Sequence, residues 1–391
     1  MDAAQTPDAA GYVRFSAGEY ERRYVAVREL LAHAALDALV VFGWSAIGRA
    51  VQADVHYVSN YLGMRDNYVL FPLEGEPVLF VQGYNHVPNA SRVSVLDDVR
   101  WGGPSNGETL GDELRKRNLR RVGVVGLMPY QHHEAMRRAA GEGTTFVDVT
   151  GPFRRLRTVK SEEEIAWLRR GAHYTDLALE ALESELRPGL SEVDLGQIVE
   201  AAYRPHGGMT VFHYITSTTM RDPDSCVPAQ VLSRRKIRAG DIVTVEISAA
   251  YEGYAGQGLR SYAVGEEPTP LFRHLHETAE QVFSELVETI KAGATTEDVL
   301  AAGDRIAADG FTIRDDLLHG FGIGLLPPSL GTRSTPHDNG EWTFSDNETV
   351  VVQPNVVTRD ERAGVQTGQL CRVTQDGLES LHRYPLRLVR V

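Results

Sequence analysis

Two valine-rich stretches constrain the fold of this chain more than any other feature. They occupy residues 241–246 and 348–353, and each opens with an acid and continues in β-branched residues. Runs of this kind are typical of buried strands. The first closes in the carboxylate of Glu246 and the second in the amide of Gln353. A turn and a further strand follow each, so the pattern predicts one hairpin design used twice, with its polar ends directed at a shared centre.

The 391 residues are enough for two domains. Strands alternate with helical patterns between residues 20 and 150, which predicts a smaller α/β domain. The breaker sequence Thr150-Gly-Pro predicts the boundary, giving an N-terminal domain of 1–152 and a C-terminal domain of 153–391. The second domain is predicted as α+β with an internal pseudo-twofold, because helix pairs opened by capping boxes alternate with strands. The capping boxes are Ser161/Glu164, Ser191/Asp194 and Thr295/Asp298, and the strands are 211–217, 241–250, 259–264, 348–357 and 369–374.

Charge and cysteine content exclude several classes of function. The net charge of −13 disfavours nucleic acid or an anionic membrane as a partner, since both require a basic surface. The N-terminus has no signal-peptide pattern, and no apolar run reaches the length of a membrane span. Cys226 and Cys371 belong to no Cys-x-x-Cys pair, so a zinc site built on thiolates is excluded. We expect a cytoplasmic protein with a small-molecule substrate.

The C-terminal half contains a series of short motifs in a characteristic order. They are R-x-x-K-S at 157–161, A-G-D-I-V-T-V-E at 239–246, H-G-F-G-I-G-L at 319–325, V-V-V-Q-P at 350–354 and G-V-Q-T-G at 364–368. This series resembles the creatinase, aminopeptidase P and prolidase superfamily. The resemblance covers almost the whole chain, and it implies a pita-bread C-terminal domain after a smaller creatinase-like N-terminal domain.

The metallopeptidases of that superfamily hold two divalent ions with two aspartates, one histidine and two glutamates. The resemblance places Glu246 and Gln257 at the aspartate positions and Gln353 and Gly368 at the glutamate positions. The histidine position falls on His319 or Phe321, depending on how the glycine-rich motif is aligned. Two divalent ions bring about four positive charges, which this set does not balance. The resemblance therefore implies a divergent member that lacks the dinuclear metal ligands and uses no cofactor.

From that deficit we expect a metal-independent enzyme that acts on a small polar nitrogen-containing metabolite. The nearest analogue is creatinase-like hydrolysis of a non-peptide C–N bond, and proline-peptide cleavage is excluded. Glu246 and His319 would transfer protons, while Gln257 and Gln353 would position the substrate. The alternatives are a lyase, cyclase or isomerase of biosynthetic metabolism, a non-catalytic protein that binds a ligand or peptide, and a single metal ion on Glu246 and His319.

Further residues are candidates for substrate contact. The resemblance implies this role for His213, Tyr214, Arg260 and Phe321 in the C-terminal domain. It also implies a homodimer, in which Tyr61 and Arg65 of one N-terminal domain contribute to the partner's pocket. Each candidate has a structural alternative: an ion pair between Glu246 and Arg260, a hydrogen bond between the two glutamines, and a supporting position of His319 behind Phe321. His86 and His337 are interpreted as surface histidines.

Overall fold

The computed structural model describes residues 11–44 and 52–391, and the chain divides into the two units Met1–Arg157 and Thr158–Val391. The boundary predicted after residue 152 falls inside a helix, Thr150–Leu156. Pro152 is tolerated there because the first turn of a helix needs no proline N–H. No helix in the described part of the chain is both long and apolar enough to cross a membrane.

The N-terminal unit is built on a six-stranded sheet with the order β4-β3-β2-β1-β5-β6. Strand β1 pairs antiparallel with β2 and parallel with β5, and helices cover the two hydrophobic faces. The elements are α1 (Ala17–His33), β1 (Ala38–Gly43), α2 (Ala53–Ser59), β2 (Asn67–Pro72), β3 (Val78–Val81), α3 (Val87–Val93), β4 (Asp98–Trp101), α4 (Asn106–Lys116), β5 (Arg121–Val125), α5 (Tyr130–Ala140), β6 (Thr145–Asp148) and α6 (Thr150–Leu156).

The C-terminal unit is built on a nine-stranded sheet. Seven strands follow the order β12-β11-β13-β15-β9-β8-β7, while β16 pairs with β15 and β17 with β9. The elements are α7 (Glu162–Glu185), α8 (Glu192–Tyr203), β7 (Met209–Thr219), β8 (Asp241–Tyr251), β9 (Tyr254–Ala263), α9 (Pro270–Thr289), α10 (Thr296–Ala308), β10 (Thr312–Ile313), β11 (Leu318–Gly322), β12 (Gly324–Leu330), β13 (Thr349–Val352), β14 (Val356–Val357), β15 (Gly368–Val373), β16 (Leu378–Ser380) and β17 (Val389–Arg390). The predicted α+β class is confirmed.

The two valine-rich stretches become β8 and β13, but only the first belongs to a tight hairpin. Strands β8 and β9 are joined through Glu252 and Gly253, whose φ angles of 48° and 86° suit a two-residue hairpin turn. Strand β13 ends at Val352, because Pro354 has no N–H to continue a ladder. Its antiparallel neighbour β15 begins only at Gly368, so the second stretch returns through a long connection.

Helix α7 packs directly on the backbone of β9. The Thr175 hydroxyl donates to the carbonyl oxygen of Gly256 at 2.8 Å and accepts from the Ala249 N–H at 3.0 Å. A Cβ atom added at Gly256 would lie 2.2 Å from the Cα of Ala172. Successive residues of a strand point to opposite faces, so Gln257 faces away from α7. The helix thereby leaves the Gln257 side of this hairpin available for other groups.

We expect Gly256→Ala to destabilise the protein by about 3 kcal/mol, because neither the helix backbone nor the strand backbone can yield to the new methyl group. The measurement is the thermal unfolding midpoint. The matched control is Gly18→Ala near the start of α1, where the nearest atom to an added Cβ is the Ser16 Oγ at 3.8 Å. Equal midpoints for the two variants would contradict this account of the helix–strand contact.

Candidate functional site

Three polar side chains from separate strands meet in the middle of the C-terminal sheet. Glu246 lies on β8, Gln257 on β9, and Gln353 directly after β13. The Gln257 Nε2 donates to the Glu246 Oε1 at 2.7 Å and reaches the Gln353 Oε1 at 3.4 Å. All three side chains are buried. The two glutamines therefore do contact each other, and the shared centre expected from the two valine-rich stretches is present.

The register of the sheet adds an aromatic wall and a hydroxyl to this centre. Tyr214 on β7 pairs with Glu246, and Ser248 pairs with both Phe212 and Gln257, so these side chains share one face. The rings of Phe212 and Tyr214 stack with centroids 4.6 Å apart and an interplanar angle of 20°. Both aromatic residues are half-buried. Tyr214 is thus placed beside Glu246, as its predicted substrate role requires.

His319 contacts one of the two glutamines, Gln353. The His319 Nδ1 donates to the Gly320 carbonyl oxygen at 3.2 Å, and the ring hydrogen-bonds with the Gln353 side chain. Burial lowers the pKa of His319, which keeps the imidazole neutral. Phe321 is fully buried with its ring 5.5 Å from that of His319. His319 is thus placed in contact with Gln353, and its assignment to the histidine position of the metallopeptidases stays a prediction.

Two acids that the sequence interpretation did not single out lie at the edge of this centre. The Gln353 Nε2 donates to the Asp316 carbonyl oxygen at 3.2 Å, and the Ser329 hydroxyl donates to the Asp316 Oδ2 at 2.7 Å. The His337 Nε2 is 3.2 Å from the Asp316 Oδ1. His337 was interpreted as a surface histidine, but it is half-buried beside these acids. The sequence signal that could have revealed these acids is the consecutive pair Asp315 and Asp316, just before β11, the strand that carries His319.

The electrostatic environment of Glu246 keeps its carboxyl group protonated at neutral pH. Burial raises the pKa of Glu246 to about 8, and the negative charge of Asp315 adds to this effect. Burial also raises the pKa of Tyr214, with contributions from Glu246 and Asp315. Glu246 is therefore a neutral hydrogen-bonding group at pH 7, and this unusual state is typical of functional carboxyls.

Arg260 does not form the ion pair with Glu246 that the sequence suggested. Its guanidinium donates to the carbonyl oxygens of Gly368 at 2.6 Å and Pro385 at 2.9 Å, and to the Gln369 Oε1 at 2.7 Å. The side chain is buried, and it points to the face of β9 opposite Gln257. Its donors are engaged in holding the C-terminal segment, so its placement gives no support to the predicted substrate contact.

His213 also lies on the opposite face from the cluster. It follows Phe212 on β7, and its Nε2 is 2.7 Å from the Tyr203 hydroxyl on α8. Burial lowers the pKa of His213 to about 4. The structure does not bring this histidine to Glu246. Its predicted substrate contact thus lacks a geometric basis, whereas the neighbouring Tyr214 has one.

The two candidates of the N-terminal unit occupy a loop before β2. Tyr61 is buried. The Arg65 backbone has a φ of 64°, and its carbonyl oxygen accepts hydrogen bonds from the Gln52 Nε2 at 2.5 Å and the Asn67 Nδ2 at 3.2 Å. The contribution of Tyr61 and Arg65 to a partner's pocket stays a prediction.

The donors at the centre do not fit two divalent ions. Glu246 supplies one carboxyl group, and Gln257 and Gln353 supply neutral amides. In the described residues, no group of three His, Cys, Asp or Glu side chains is arranged to hold a metal ion. The alternative of one ion on Glu246 and His319 therefore lacks a third ligand of these types within that part of the chain.

Gly368 has no room for a ligand side chain. A Cβ atom added there would lie 2.3 Å from the Val352 carbonyl oxygen and 2.8 Å from the Gln353 Cα. Both contacts are with backbone atoms, which cannot move aside as a flexible side chain can. The strand pair β13–β15 is thus packed around a residue without a side chain.

Several curated proteins are similar to this chain over much of its length. An uncharacterized peptidase, YqhT, of Bacillus subtilis is 25% identical over 370 residues, covering 93% of this chain and 98% of that protein. The probable dipeptidase PepE of Mycobacterium tuberculosis is 28% identical over 278 residues, covering 68% of this chain and 69% of that protein. An Xaa-Pro dipeptidase of Pyrococcus horikoshii is 24% identical over 284 residues, covering 71% of this chain and 78% of that protein.

Solved structures share the fold along nearly the whole chain. An Xaa-Pro dipeptidase from Bacillus anthracis superposes with a TM-score of 0.81 at 23% identity, covering 95% of this chain and all of the other. Dipeptidase PepE from Mycobacterium ulcerans gives a TM-score of 0.80 at 22% identity, covering 97% and 99%. At these identities the likeness shows the fold, which confirms the pita-bread expectation.

The expected function is wrong. Relatives named dipeptidase and Xaa-Pro dipeptidase contradict both the metal-independent enzyme acting on a non-peptide C–N bond and the exclusion of proline peptidases. These are names of peptidases, and the lyase, cyclase, isomerase and binding-protein alternatives fall with the original expectation. The error has a physical reason: the charges of a site limit the ions it holds, but they do not identify the bond that is cleaved.

Two family models account for almost all of the chain. The model of the creatinase/prolidase N-terminal domain matches residues 23–159. The model of metallopeptidase family M24 matches residues 166–375, a range that contains Glu246, Gln257, His319 and Gln353. Together with the shared fold, these matches establish that the chain belongs to metallopeptidase family M24, within the creatinase, aminopeptidase P and prolidase superfamily.

Proposed function

We propose that this chain is a peptidase of short peptides, with Xaa-Pro dipeptides as its first candidate substrates. The observation that carries the proposal is the buried cluster of Glu246, Gln257 and Gln353 at the centre of the region that matches the peptidase family. The peptide group of an Xaa-Pro dipeptide has a carbonyl acceptor but no N–H, because its nitrogen belongs to proline. A protonated carboxyl group and amide N–H groups are donors that such a carbonyl oxygen can accept from.

The side chains at this centre supply two of the functions that peptide cleavage needs. The leaving nitrogen must receive a proton, and Glu246 carries one at neutral pH because its pKa is raised to about 8. The attacking water must lose a proton, and the candidate acceptor is neutral His319, whose Nδ1 donates to Gly320 and whose ring also hydrogen-bonds with the Gln353 side chain. The Gln353 amide has a second N–H besides the one it donates to Asp316, and this N–H can donate to the carbonyl oxygen as it becomes negative. We therefore assign Glu246 as the acid and His319 as the base.

The test is an assay that measures release of free proline from Ala-Pro and Gly-Pro. It is run with EDTA and with added Mn²⁺, Co²⁺ or Zn²⁺, so that any contribution of a divalent ion is measured directly. We expect proline release by the wild-type protein and a drop in kcat of at least about 100-fold for Glu246→Gln, the usual contribution of a general acid. Glu285→Gln, an exposed acid on α9, is the matched control.

Two outcomes would refute this assignment. No proline release in any ionic condition would refute peptidase action on this substrate class. Unchanged turnover in Glu246→Gln would refute its role as the acid while leaving the peptidase itself in place.

The proposal extends to assembly and location. We propose a cytoplasmic homodimer in which Tyr61 and Arg65 of one subunit reach the pocket of the other. The support is the resemblance of the N-terminal domain to those of creatinase-like dimers. We propose no role for nucleic acid or membranes.

A further inference from the structure

The last strand of the N-terminal sheet, β6, has an open edge. The N–H groups of Thr145 and Val149 donate to carbonyl oxygens on the β5 side, at 2.8 and 3.0 Å. Alternate residues of a parallel strand turn their backbone groups to the same neighbour, so those of Phe146 and Asp148 point away from β5. Within the described part of the chain, no strand pairs with that side of β6. The edge therefore presents unpaired N–H and carbonyl groups.

A crevice of about 390 Å³ adjoins this edge, and β6 itself forms part of its wall. Helix α5 and the loop before it form much of the remainder. Three apolar side chains that line the crevice, Leu127, Tyr130 and Val147, are exposed by 86%, 73% and 47%. Phe146 is half-buried in it, with its ring 5.4 Å from that of His133. Exposed apolar side chains gathered around one crevice are typical of a binding surface.

Asp148 is the one carboxylate among the described residues that line the crevice. Its Oδ1 accepts from the Thr150 N–H at 2.9 Å, and hydrogen bonds from Thr150 lower the pKa of Asp148, so the group is ionised at neutral pH. The cation that acts on it, Arg154, forms an ion pair with Asp54. Asp148 is exposed, and its negative charge is therefore accessible to a ligand.

The open edge and the apolar crevice together fit an extended peptide. A peptide added to a sheet edge is held by its main chain, while pockets beside the edge select alternate side chains. Phe146 and Asp148 are two residues apart, so their side chains lie on one face of β6. Side chains directly opposed in an antiparallel pair lie about 5 Å apart. The peptide residue opposite Phe146 should therefore be large and apolar, and the one opposite Asp148 should be cationic.

A second copy of β6 fits this edge poorly. Antiparallel pairing of two β6 strands through the outward groups of Phe146 and Asp148 would place a twofold axis at Val147. Each Phe146 would then lie opposite the partner's Asp148. Both carboxylates would be set against apolar crevices with no cation opposite them, and a charge that loses water without gaining a partner is costly. The side chains of the edge therefore favour a different segment over self-association.

We propose that the edge of β6 and its crevice bind an extended peptide segment, antiparallel to β6, with the pattern Lys or Arg, any residue, large apolar residue. The apolar side chain enters the crevice opposite Phe146, and the cation pairs with Asp148. The cationic residue comes first because the segment runs in the opposite direction to β6. This site belongs to the N-terminal unit, and it does not depend on the proposed function of the C-terminal unit.

The test is fluorescence anisotropy of the whole protein with fluorescein-labelled Ser-Thr-Lys-Val-Leu-Thr-Ser-amide. We expect saturable binding, and a peptide with Lys and Leu exchanged should bind about tenfold more weakly, because the cation then faces the apolar crevice. A methyl group on the Leu nitrogen removes a donor that faces β6, and it should weaken binding about tenfold. A methyl group on the Val nitrogen, which points away from β6, should leave the affinity unchanged.

Protein variants test the two side-chain contacts. Asp148→Asn should weaken binding of the Lys peptide about fivefold and leave a norleucine-for-lysine peptide unaffected, since only the ion pair is lost. Asparagine keeps an oxygen that can accept from the Thr150 N–H. Glu142→Gln, an exposed acid before β6, is the matched control and should bind as wild type does. Leu127→Gln should weaken binding of both peptides, because it replaces an apolar side chain of the crevice.

Four outcomes would overturn the proposal. The first is an absence of saturable binding. The second is equal affinity for the two N-methyl peptides, since the crevice would then hold a side chain alone, as a small-molecule site does. The third is a dimer that Val147→Lys separates into monomers, which would show that a second copy covers the edge. The fourth is loss of binding in Glu246→Gln, which would place the peptide in the C-terminal unit. Binding that persists in Glu246→Gln supports the β6 site, whether or not the protein releases proline.

Discussion

Replacing Glu246 with glutamine is expected to stabilise the protein above neutral pH. The carboxyl group titrates near its ordinary value of 4.5 in the unfolded chain and at about 8 in the folded protein. Between these values the folded state binds more protons, so the free energy of unfolding falls as the pH rises. By pH 9 the loss amounts to about 5 kcal/mol, from 1.36 kcal/mol for each pH step between the two pKa values. Glutamine carries no charge and keeps an oxygen that can accept from Gln257.

The measurement is the thermal unfolding midpoint of both proteins from pH 4 to pH 9. We expect similar midpoints at pH 4, where the wild-type carboxyl group is protonated in both states, and a widening advantage of Glu246→Gln above pH 5. Glu285→Gln, which alters an exposed acid on α9, should follow the wild-type curve. If the curves of wild type and Glu246→Gln stay parallel over the whole range, the raised pKa of Glu246 is wrong.

Replacing Arg260 with methionine is expected to destabilise the C-terminal unit by about 4 kcal/mol. The guanidinium is fully buried, and besides Gly368, Pro385 and Gln369 it donates to the carbonyl oxygens of Leu259 at 2.8 Å and Tyr384 at 3.0 Å. Methionine fills much of the volume but leaves these acceptors buried without donors, and each unmet acceptor costs about 1 kcal/mol or more. Burial also lowers the pKa of Arg260 to about 10, and the neighbouring Tyr262, Tyr384 and Asp176 partly offset this effect.

The matched control is Arg387→Met in the same C-terminal segment. Arg387 is exposed and forms an ion pair with Glu183 at 2.5 Å, and exposed pairs of this kind contribute at most about 1 kcal/mol. Denaturant unfolding followed by tryptophan fluorescence measures both variants. A loss for Arg260→Met no larger than that for Arg387→Met would show that the buried guanidinium does not support the segment.

The helices that could be predicted from sequence are mostly those whose start is encoded by a side chain. Ser161 and Ser191 form the predicted capping boxes, and Ser16 and Ser105 accept hydrogen bonds at the starts of α1 and α4. Four helices that were not predicted, α2, α3, α5 and α6, have no side-chain hydrogen bond at the N-cap. Their positions are set by packing within the folded unit, which a local sequence pattern does not record.

Strands β11 and β12 were missed for a different reason. Residues 320–324 are rich in glycine, which is more typical of turns than of strands, yet β11 and β12 pair across them with an irregularity between His319 and Gly320. An added Cβ at Gly320 would lie 2.3 Å from the Pro327 carbonyl oxygen, so the glycine permits close strand packing here. The same residue type serves turns and crowded strands, and only the tertiary structure distinguishes them.

The candidate site was predictable in its centre and not at its edge. Glu246 and Gln353 end β-branched runs of similar pattern, and that symmetry was enough to bring them together. Asp315 and Asp316 precede a strand that had not been predicted, so nothing linked them to Glu246. The function was predicted wrongly because the absence of metal ligands was used to infer the substrate. Missing ligands limit only which ions the site can hold.

The crowding at Gly368 restricts which side chains can be introduced at this site. A single codon change to glutamate would drive its first side-chain atom into the Val352 carbonyl oxygen, 2.3 Å away, before the new carboxylate could reach any ion. Installing a cation centre with a glutamate at this position thus requires the two strands to separate first. Designers who wish to install one should begin with the spacing of β13 and β15, and choose the ligands afterwards.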